Sequence, residues 1–331
     1  MSSIPTITVA GKAVGRIGYG LMQLTASASP PSQDTSFAAM KAAADAGATC
    51  WSTAAFYGPD YANIRLIAGF LSKYPEYKEK VVLVVKGGLD FPNRSTKGGD
   101  ANYLRQELKD MGSILGDKII DIFLTARLEV DIPVEDQFKT LVSLQKEGLF
   151  NEIGASEISV ASLEQATKIT PIAIIENEIS LFSYSSPVRE VIEWSKVHKV
   201  PIFAYSPLGR GFLTGTYKSP ADLPEGSMLR MMPRFQGEAF EENIKLVNKV
   251  EEIAHGKGIS INELALAWVT QLSDYVIPIP GSSKVNRVKS NTGAIHIKLS
   301  TSELAAIQRF LDTEEVKGDR YPPVFQKQLM V

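Results

Sequence analysis

Short runs of apolar and β-branched residues recur along the chain, and most are followed by a stretch in which apolar residues return at helical spacing. Runs of about four to eight such residues are typical of strands that are buried on both faces. Eight runs meet this description, at residues 16–19, 49–52, 81–86, 119–126, 152–155, 172–178, 201–205 and 275–280. Strands that alternate with helices favour a parallel sheet with right-handed crossovers.

Helical periodicity between the strands is clear at residues 35–46, 134–149 and 159–168 and weaker at 191–197. Ser159 is placed to cap the helix that follows it. Eight strand–helix units indicate a closed barrel, because an open dinucleotide-binding sheet would carry a Gly-x-Gly-x-x-Gly turn after its first strand, and residues 18–22 lack that spacing. The predicted fold is α/β, a (β/α)8 TIM barrel that forms one domain over residues 1–331.

Two segments interrupt the repeat. Residues 7–14 alternate like a β-hairpin with a turn at Gly11, and we expect this N-terminal hairpin to plug the bottom of the barrel. Residues 208–240, after the seventh strand, contain glycine, proline and methionine with little periodicity. A loop of this length in a compact domain is usually functional. The glycines at 209–215 fit no dinucleotide fingerprint, and turn formation explains them equally well.

Charge and composition narrow the functional class. Lysine plus arginine number 35 and aspartate plus glutamate 37, and no basic stripe predicts binding to nucleic acid or to a membrane surface. A single cysteine, Cys50, excludes an intramolecular disulfide and indicates a reducing compartment. We find no signal peptide and no apolar run of the roughly 20 residues that span a bilayer. We therefore expect a cytoplasmic protein, with a nuclear pool left open.

The ends of the predicted strands carry the candidate chemistry, because active sites of such barrels lie at the carboxyl ends of the strands. The second strand leads into Tyr57, and the third ends in Lys86 after a run of mostly valine. That position sets an ammonium at the rim of an apolar interior. The alternative is a lysine that extends its charged end into solvent, and the strand pattern alone does not separate the two.

These strand ends resemble those of the aldo-keto reductases, and the resemblance extends over nearly the whole chain. The matching stretches are residues 52–58 (Ser-Thr-Ala-Ala-Phe-Tyr-Gly), Lys86, 176–181 (Glu-Asn-Glu-Ile-Ser-Leu), 204–211 (Ala-Tyr-Ser-Pro-Leu-Gly-Arg-Gly), 279–284 (Ile-Pro-Gly-Ser-Ser-Lys), Arg287 and Asn291. The most specific signals are the stretch 204–211 and the stretch 279–284 with Arg287 and Asn291 after it. The resemblance implies reduction of a small-molecule carbonyl by NADPH, with NADP⁺ as the oxidised product.

The resemblance also implies roles for individual residues. Tyr57 would donate a proton to the carbonyl oxygen, and Lys86 would lower the tyrosine pKa from its usual value near ~10. Tyr205 would stack on the nicotinamide. Ser206, Leu208 and Gly211 would contact the pyrophosphate; Ser282, Lys284 and Arg287 the 2′-phosphate; Asn291 the adenine; and Ser156, Glu157 and Glu176 the carboxamide.

Four positions depart from the common family pattern. Ser52 stands where an aspartate is usual, and we count it with the catalytic set. Ala126 replaces a histidine on the fourth strand, Ser156–Glu157 replaces Ser-Asn, and Glu176 replaces glutamine. At these positions the chain resembles the fungal pyridoxal reductases. The hydroxyl ortho to the aldehyde of pyridoxal could help to polarise that aldehyde. The three histidines, at 198, 255 and 296, have no metal-ligand spacing and read as surface or packing residues.

The pair Glu157 and Glu176 yields a specific expectation. If both carboxylates face the carboxamide they repel each other, and one should have a raised pKa. The alternative is that one glutamate turns away to pair with Arg127 or another base.

Other functions stay open at this point. The barrel could bind NADPH as a redox sensor with little turnover, reduce other aromatic aldehydes, or use Lys86 as a Schiff-base lysine like an aldolase. Candidate substrate-pocket residues are Leu24, Phe56, Phe91 and residues 228–235. Oligomeric state is not readable from the sequence.

Overall fold

The computed structural model of the chain describes residues 4–90, 93 and 95–330. Thirteen strands occur among these residues, and two of them, Leu89–Asp90 and Ser95–Thr96, form a small hairpin outside the main sheets. They are β1 (Thr6–Val9), β2 (Lys12–Gly15), β3 (Tyr19–Gly20), β4 (Cys50–Ala54), β5 (Val82–Gly87), β6 (Leu89–Asp90), β7 (Ser95–Thr96), β8 (Ile122–Thr125), β9 (Glu152–Ile153), β10 (Ala155–Ser156), β11 (Ile175–Glu178), β12 (Ile202–Tyr205) and β13 (Val276–Pro278).

Eleven α-helices in the same described residues follow or flank these strands. They are α1 (Gln33–Asp45), α2 (Ala62–Lys73), α3 (Ala101–Leu115), α4 (Val134–Lys146), α5 (Val160–Thr167), α6 (Ser186–His198), α7 (Gly237–Lys257), α8 (Ile261–Gln271), α9 (Val285–Gly293), α10 (Thr301–Thr313) and α11 (Pro323–Gln326). The Ser159 hydroxyl accepts from the Ser162 N–H at 3.2 Å, so the predicted cap of α5 is confirmed.

The strands form two parallel ladders, one in the order β3-β4-β5-β8-β9 and one in the order β10-β11-β12-β13. Gly154 alone separates β9 from β10, and its N–H donates to the Phe123 carbonyl at 2.9 Å. On the opposite side, the Gly18 N–H donates to the Pro278 carbonyl at 2.9 Å. A Cβ on Gly20 would lie 2.7 Å from the Ile279 carbonyl oxygen, so glycine is needed where the first and last strands meet. The predicted TIM barrel is confirmed.

Two apolar layers hold the barrel together. The outer layer packs the strands against the helices and includes Trp51, Phe70 and Phe123, all fully buried. The inner layer fills the barrel with side chains such as Val84 and Phe203. Val9 and Val14 of the β1–β2 hairpin belong to this inner layer, which confirms that the hairpin closes one end of the barrel.

The structure differs from the sequence prediction mainly at the edges of elements. The first predicted strand, 16–19, is reduced to Tyr19–Gly20. Before it, the Arg16 N–H donates to the Pro5 carbonyl and the Gly18 N–H to the Pro278 carbonyl, so these residues do not form a continuous ladder with one neighbour. The segment after β12 folds into short 3₁₀ turns and then into α7, which begins at Gly237 inside the predicted loop. No helix in the described part of the chain is long and apolar enough to cross a membrane.

Candidate active site

The site is built where β4 and β5 end at the mouth of the barrel. Ladder pairing places Ser52 opposite Val84 and Ala54 opposite Lys86, so Ser52 lies one pleat deeper than Lys86 in the interior. Tyr57 follows in a turn whose N–H donates to the Ala54 carbonyl at 3.2 Å. The Thr25 hydroxyl donates to the Tyr57 carbonyl at 2.7 Å and fixes that turn to the loop after β3.

A closed ring of three hydrogen bonds forms below Tyr57, and we call its members Ser52, Lys86 and Glu176 the lysine centre. The Lys86 ammonium donates to Glu176 Oε1 and to Ser52 Oγ, each at 2.8 Å. The Ser52 hydroxyl donates to Glu176 Oε2, also at 2.8 Å. All three residues are at most 5% exposed, so water does not screen the pair. The lysine therefore points into the barrel and not toward solvent.

Tyr57 and Lys86 are in electrostatic contact, since the lysine nitrogen lies 5.2 Å from the centroid of the tyrosine ring. Burial raises the pKa of Tyr57, the Lys86 ammonium lowers it, and the net pKa is raised. Our expectation is right about the effect of Lys86 and wrong about the net direction, because the loss of hydration is larger. Burial lowers the pKa of Lys86, but Glu176 and Tyr57 outweigh it, so this pKa is raised and the lysine is an ammonium.

A second charged cluster surrounds the mouth, and we call it the arginine rim. Glu157 and Glu178 are its two carboxylates, and both are buried. Its other members are Arg127, Tyr205, Arg210, Arg234, Arg320 and Tyr321. Arg320 bridges the two glutamates at 2.7 Å and 3.0 Å, and Arg210 also donates to Glu178 at 2.9 Å. Burial raises the pKa of Glu178, but these arginines outweigh it and hold that pKa far below its usual range.

The C-terminal segment, residues 314–330, carries Arg320 and Tyr321 into the mouth. Asn243 on α7 anchors the segment, because its side chain both donates to and accepts from the Lys317 backbone at 2.9 Å. The Tyr321 oxygen accepts from Arg210 at 2.5 Å and lies 3.3 Å from the Tyr205 hydroxyl. Burial raises the pKa of Tyr321, but Arg210 and Arg127 outweigh it, and this pKa is lowered.

Glu157 and Glu176, which we expected to repel each other beside the carboxamide, each have a cation of their own. Their strands are adjacent, with the Glu157 N–H bonded to the Glu176 carbonyl at 3.1 Å. The side chains, however, take different cations: Lys86 for Glu176 and Arg320 for Glu157. Burial raises the pKa of Glu157, but Arg320 and Arg127 lower it by more, so the net pKa is below its usual value. The alternative, in which a glutamate pairs with another base, describes both residues.

The three residues expected at the carboxamide therefore lie together but are already engaged. Ser156 donates to the Glu176 carbonyl at 3.2 Å, and Glu157 accepts from the Tyr205 hydroxyl at 2.7 Å. Burial, followed by Glu157, raises the pKa of Tyr205 well above its usual value, so the tyrosine holds its proton. This bond fixes the orientation of the Tyr205 ring at the end of β12, where the resemblance places a stacking residue.

The loop after β12, where the resemblance places the pyrophosphate contacts, contains several residues with positive φ. Ser206 has a φ of 48° and Gly211 a φ of 106°. The Gly211 N–H donates to the Leu208 carbonyl at 3.0 Å, and a Cβ on Gly211 would lie 2.7 Å from the Tyr217 ring. Only glycine suits that position, because it combines a positive φ with a close neighbour.

Exposed cations and a helix end lie together at the residues expected to bind the 2′-phosphate. Helix α9 begins after Lys284 with no side-chain cap and no acidic residue in its first turn. Lys284 and Arg287 are exposed, Asn291 is buried, and the Lys284 N–H donates to the Ser282 hydroxyl at 3.1 Å. Free N–H groups and two cations fit a phosphate dianion.

The remaining candidates are scattered. Phe56 packs edge-on against Tyr57 at 5.3 Å, Leu24 is buried, and Phe235 stacks on Phe212 at 4.4 Å. Phe91 lies outside the described residues. His198 stacks on Trp194 at the end of α6, and the histidines at 255 and 296 are exposed, so all three are surface or packing residues.

Sequence reasoning missed Arg320 and Tyr321. They lie beyond the last predicted strand in a short polar stretch with no periodicity. More than a hundred residues separate Arg320 from Glu157 and Tyr205, so no sequence pattern indicates that they meet. Glu178 and Arg210 lie inside the recognised stretches, but no pattern in them indicates that they pair.

Comparison with known proteins agrees with this geometry. Residues 16–312 match the model of the aldo/keto reductase family. An aldo-keto reductase of Schizosaccharomyces pombe, yakc [NADP(+)], is 34% identical over 97% of this chain and 95% of its own. A second S. pombe protein, described as probable pyridoxal reductase 2, is 34% identical over 98% and 99%.

Solved structures show the same fold. The glycerol dehydrogenase AKR11B4 of Gluconobacter oxydans superposes with a TM-score of 0.82 at 22% identity, covering 98% of this chain and 99% of that one. An aldo/keto reductase of Klebsiella pneumoniae, solved with NADP and acetate, has a TM-score of 0.69 at 21% identity, covering 96% and 99%.

Proposed function

We propose, because this chain belongs to the aldo/keto reductase family, that it reduces an aldehyde to an alcohol with NADPH and that pyridoxal is its substrate. Family membership and the relative named with NADP(+) support NADP-dependent oxidoreductase activity. The observation that carries the proposal is the buried Lys86 ammonium beside the Tyr57 ring.

The residues of the site divide the proton chemistry between them. NADPH, when bound, supplies a hydride to the carbonyl carbon. Tyr57 donates its phenolic proton to the carbonyl oxygen, and Lys86 stabilises the phenolate that remains. Lys86 is buried and Tyr57 is half-buried, so little water screens the pair and their interaction is strengthened. Because burial keeps the Tyr57 pKa high, the tyrosine is protonated before the reaction, as a proton donor must be.

The chain's own residues fit the cofactor. Lys284 and Arg287 would hold the 2′-phosphate at the start of α9, with Ser282 beside them and Asn291 on the adenine. Ser206, Leu208 and Gly211 would shape the loop around the pyrophosphate. Tyr205, held by Glu157, would support the nicotinamide.

Two observations favour pyridoxal as the aldehyde. The relative described as probable pyridoxal reductase 2 matches nearly the whole of both chains. Ala126, directly after β8, has no hydrogen-bonding side chain, so a substrate that carries its own hydroxyl ortho to the aldehyde gains most. The phenolic hydroxyl can donate to the carbonyl oxygen and supply polarisation that the protein lacks at this position.

A screen of NADPH oxidation tests the proposal. We expect turnover with pyridoxal, and faster turnover of 2-hydroxybenzaldehyde than of benzaldehyde. Equal rates for the last two would contradict the ortho-hydroxyl argument. Tight NADPH binding without oxidation by any aldehyde would favour a redox sensor, and a substrate adduct on Lys86 trapped by borohydride would favour an aldolase-like reaction.

A further inference from the structure

The lysine centre joins three strands that are not all neighbours. Ser52 lies on β4, Lys86 on β5 and Glu176 on β11, which belongs to the other ladder. The glutamate therefore reaches across the barrel interior to meet the lysine at 2.8 Å. A buried carboxylate is stable there only if both of its oxygens accept hydrogen bonds and a cation balances its charge. Lys86 and Ser52 meet both requirements.

The ring leaves the ammonium one free direction. Lys86 carries three N–H bonds, and Glu176 and Ser52 accept two of them. The Tyr57 ring lies on the remaining side, 5.2 Å from the nitrogen. The titratable groups that face Lys86 and Tyr57 are Glu176 and, from the C-terminal segment, Tyr321. Removal of the Glu176 charge would leave a buried ammonium with no anion, and burial favours its neutral form.

We propose that Glu176 is a positioning residue for the Lys86–Tyr57 pair, and that Ser52 is the hydrogen-bonded bridge between Glu176 and Lys86. Glu176 keeps Lys86 charged and aims its third N–H at Tyr57, and it does so from the far side of the barrel. This inference rests on the proposed reductase function for its kinetic consequences, but the ion pair itself is independent of that function.

A carboxylate could serve the lysine from either of two positions. Ser52 Oγ already lies 2.8 Å from Lys86 Nζ, so an aspartate at position 52 would also reach the ammonium. Ser52→Asp alone sets two carboxylates against one lysine, and Glu176→Gln alone removes the only one in the centre. The double change returns one carboxylate to one lysine. Function should therefore depend on the pair of positions and not on each separately.

The kinetic test measures kcat for pyridoxal from pH 6 to 10 in the wild type, both single variants and the double variant. We expect each single variant to lose at least about tenfold in kcat and the double variant to recover most of that loss. In Glu176→Gln the alkaline limb of the profile should move to lower pH, because Lys86 loses its proton earlier, and the double variant should move it back.

Urea unfolding gives a readout that needs neither cofactor nor turnover. In Glu176→Gln the pKa of Lys86 in the folded state falls below its unfolded value, so the folded state binds fewer protons and stability rises with pH. We expect the ratio of the variant's folding equilibrium constant to that of the wild type to rise at least about tenfold from pH 7 to pH 10. The double variant should cancel most of this rise.

Matched controls separate the outcomes. Glu178→Gln changes a buried glutamate two residues along the same strand, and combined with Ser52→Asp it should give no rescue. Losses that simply multiply in the Ser52→Asp/Glu176→Gln variant would overturn the inference. So would an unchanged pH dependence of Glu176→Gln with only a changed ratio of NADP⁺ to NADPH affinity, since Glu176 would then serve the cofactor.

Two further results keep the inference separate from the proposed function. If none of the aldehydes tested causes the wild type to oxidise NADPH, the proposed function fails, and the unfolding measurement alone decides the role of Glu176. If Ser52→Asp does not fold, Ser52→Ala replaces it, and we expect a shift of the alkaline limb in the same direction as Glu176→Gln but smaller. No shift in Ser52→Ala would contradict the bridging role.

Discussion

The lysine centre and the arginine rim are both ionic clusters built around buried glutamates at the mouth of one barrel, but their charges are arranged differently. The centre pairs one lysine with one glutamate through a serine. The rim surrounds two glutamates with four arginines, at positions 127, 210, 234 and 320. Tyr57, beside the balanced centre, has a raised pKa, whereas Tyr321, within the cationic rim, has a lowered one, although both side chains are half-buried.

This difference indicates a division of labour. A balanced pair next to Tyr57 leaves a single ammonium that responds to the charge on the tyrosine, which suits proton transfer. The rim holds its glutamates permanently ionised and ties Tyr205, Tyr321 and Arg320 into one network, which suits the fixing of loops from distant parts of the chain. We therefore expect changes in the centre to affect turnover, and changes in the rim to affect stability.

The largest effect should come from Tyr57→Phe, which removes the proposed proton donor and keeps the ring. General acid catalysis contributes about 10²–10⁴-fold, so kcat should fall by that order while NADPH affinity stays near the wild-type value. Steady-state kinetics with pyridoxal and a fluorescence titration with NADPH check this. Retention of most of the activity would mean that the proton comes from another group.

Arg320→Met should give the largest loss of stability in the rim. Removal of one partner from a buried ion pair costs about 3–5 kcal/mol, because the glutamates it leaves behind remain buried. Urea unfolding at pH 7 measures this loss. Arg309→Met, an exposed arginine on α10, is the matched control and should change stability by less than about 0.5 kcal/mol.

A partner change sharpens the result for Arg320. Combining Arg320→Met with Glu157→Gln removes the charge that the arginine balances, so the double variant should be less destabilised than the two separate losses together. If the losses add, Arg320 stabilises the mouth by packing and not by charge.

Glu107 offers a buried carboxylate without a cation. It accepts the Gly88 N–H at 2.8 Å beside the end of β5, and burial raises its pKa from 4.5 to about 7. The folded state therefore binds more protons than the unfolded state between these values, and its stability falls as pH rises through 7. In Glu107→Gln this fall should disappear, a difference of up to about 3 kcal/mol.

Unfolding at pH 5 and pH 8 measures the effect of Glu107, with Glu252→Gln, an exposed glutamate on α7, as the control. An equal pH dependence in Glu107→Gln and the wild type would show that Glu107 is ionised throughout.

The smallest effect concerns cations outside both clusters. Lys284 and Arg287 are exposed at the start of α9, whose first turn has no acidic residue, so both are available to a phosphate. Replacing both with alanine should weaken NADPH binding about ten- to a hundredfold and leave NADH binding nearly unchanged. Equal weakening of the two cofactors would mean that these residues support the fold and do not recognise the 2′-phosphate.

The sequence alone determined the features that depend on local periodicity and on short motifs. Alternating strand and helix patterns are local, so they predicted the barrel, the hairpin that plugs it and the cap at Ser159. Tyr57 and Lys86 were also predictable, because each follows directly from the end of a strand whose position the pattern gives.

Only the tertiary structure decided which charges pair. Glu176 meets Lys86 from the other ladder, and Arg320 reaches Glu157 from 163 positions away. No periodicity relates residues that meet only when the barrel closes and the C-terminal segment folds over its mouth. Buried pKa values depend on those meetings, because in a medium of low dielectric constant the nearest cation sets the charge of a carboxylate. The sequence therefore specified the acidic and basic residues of the site, and the closed barrel assigned them their partners.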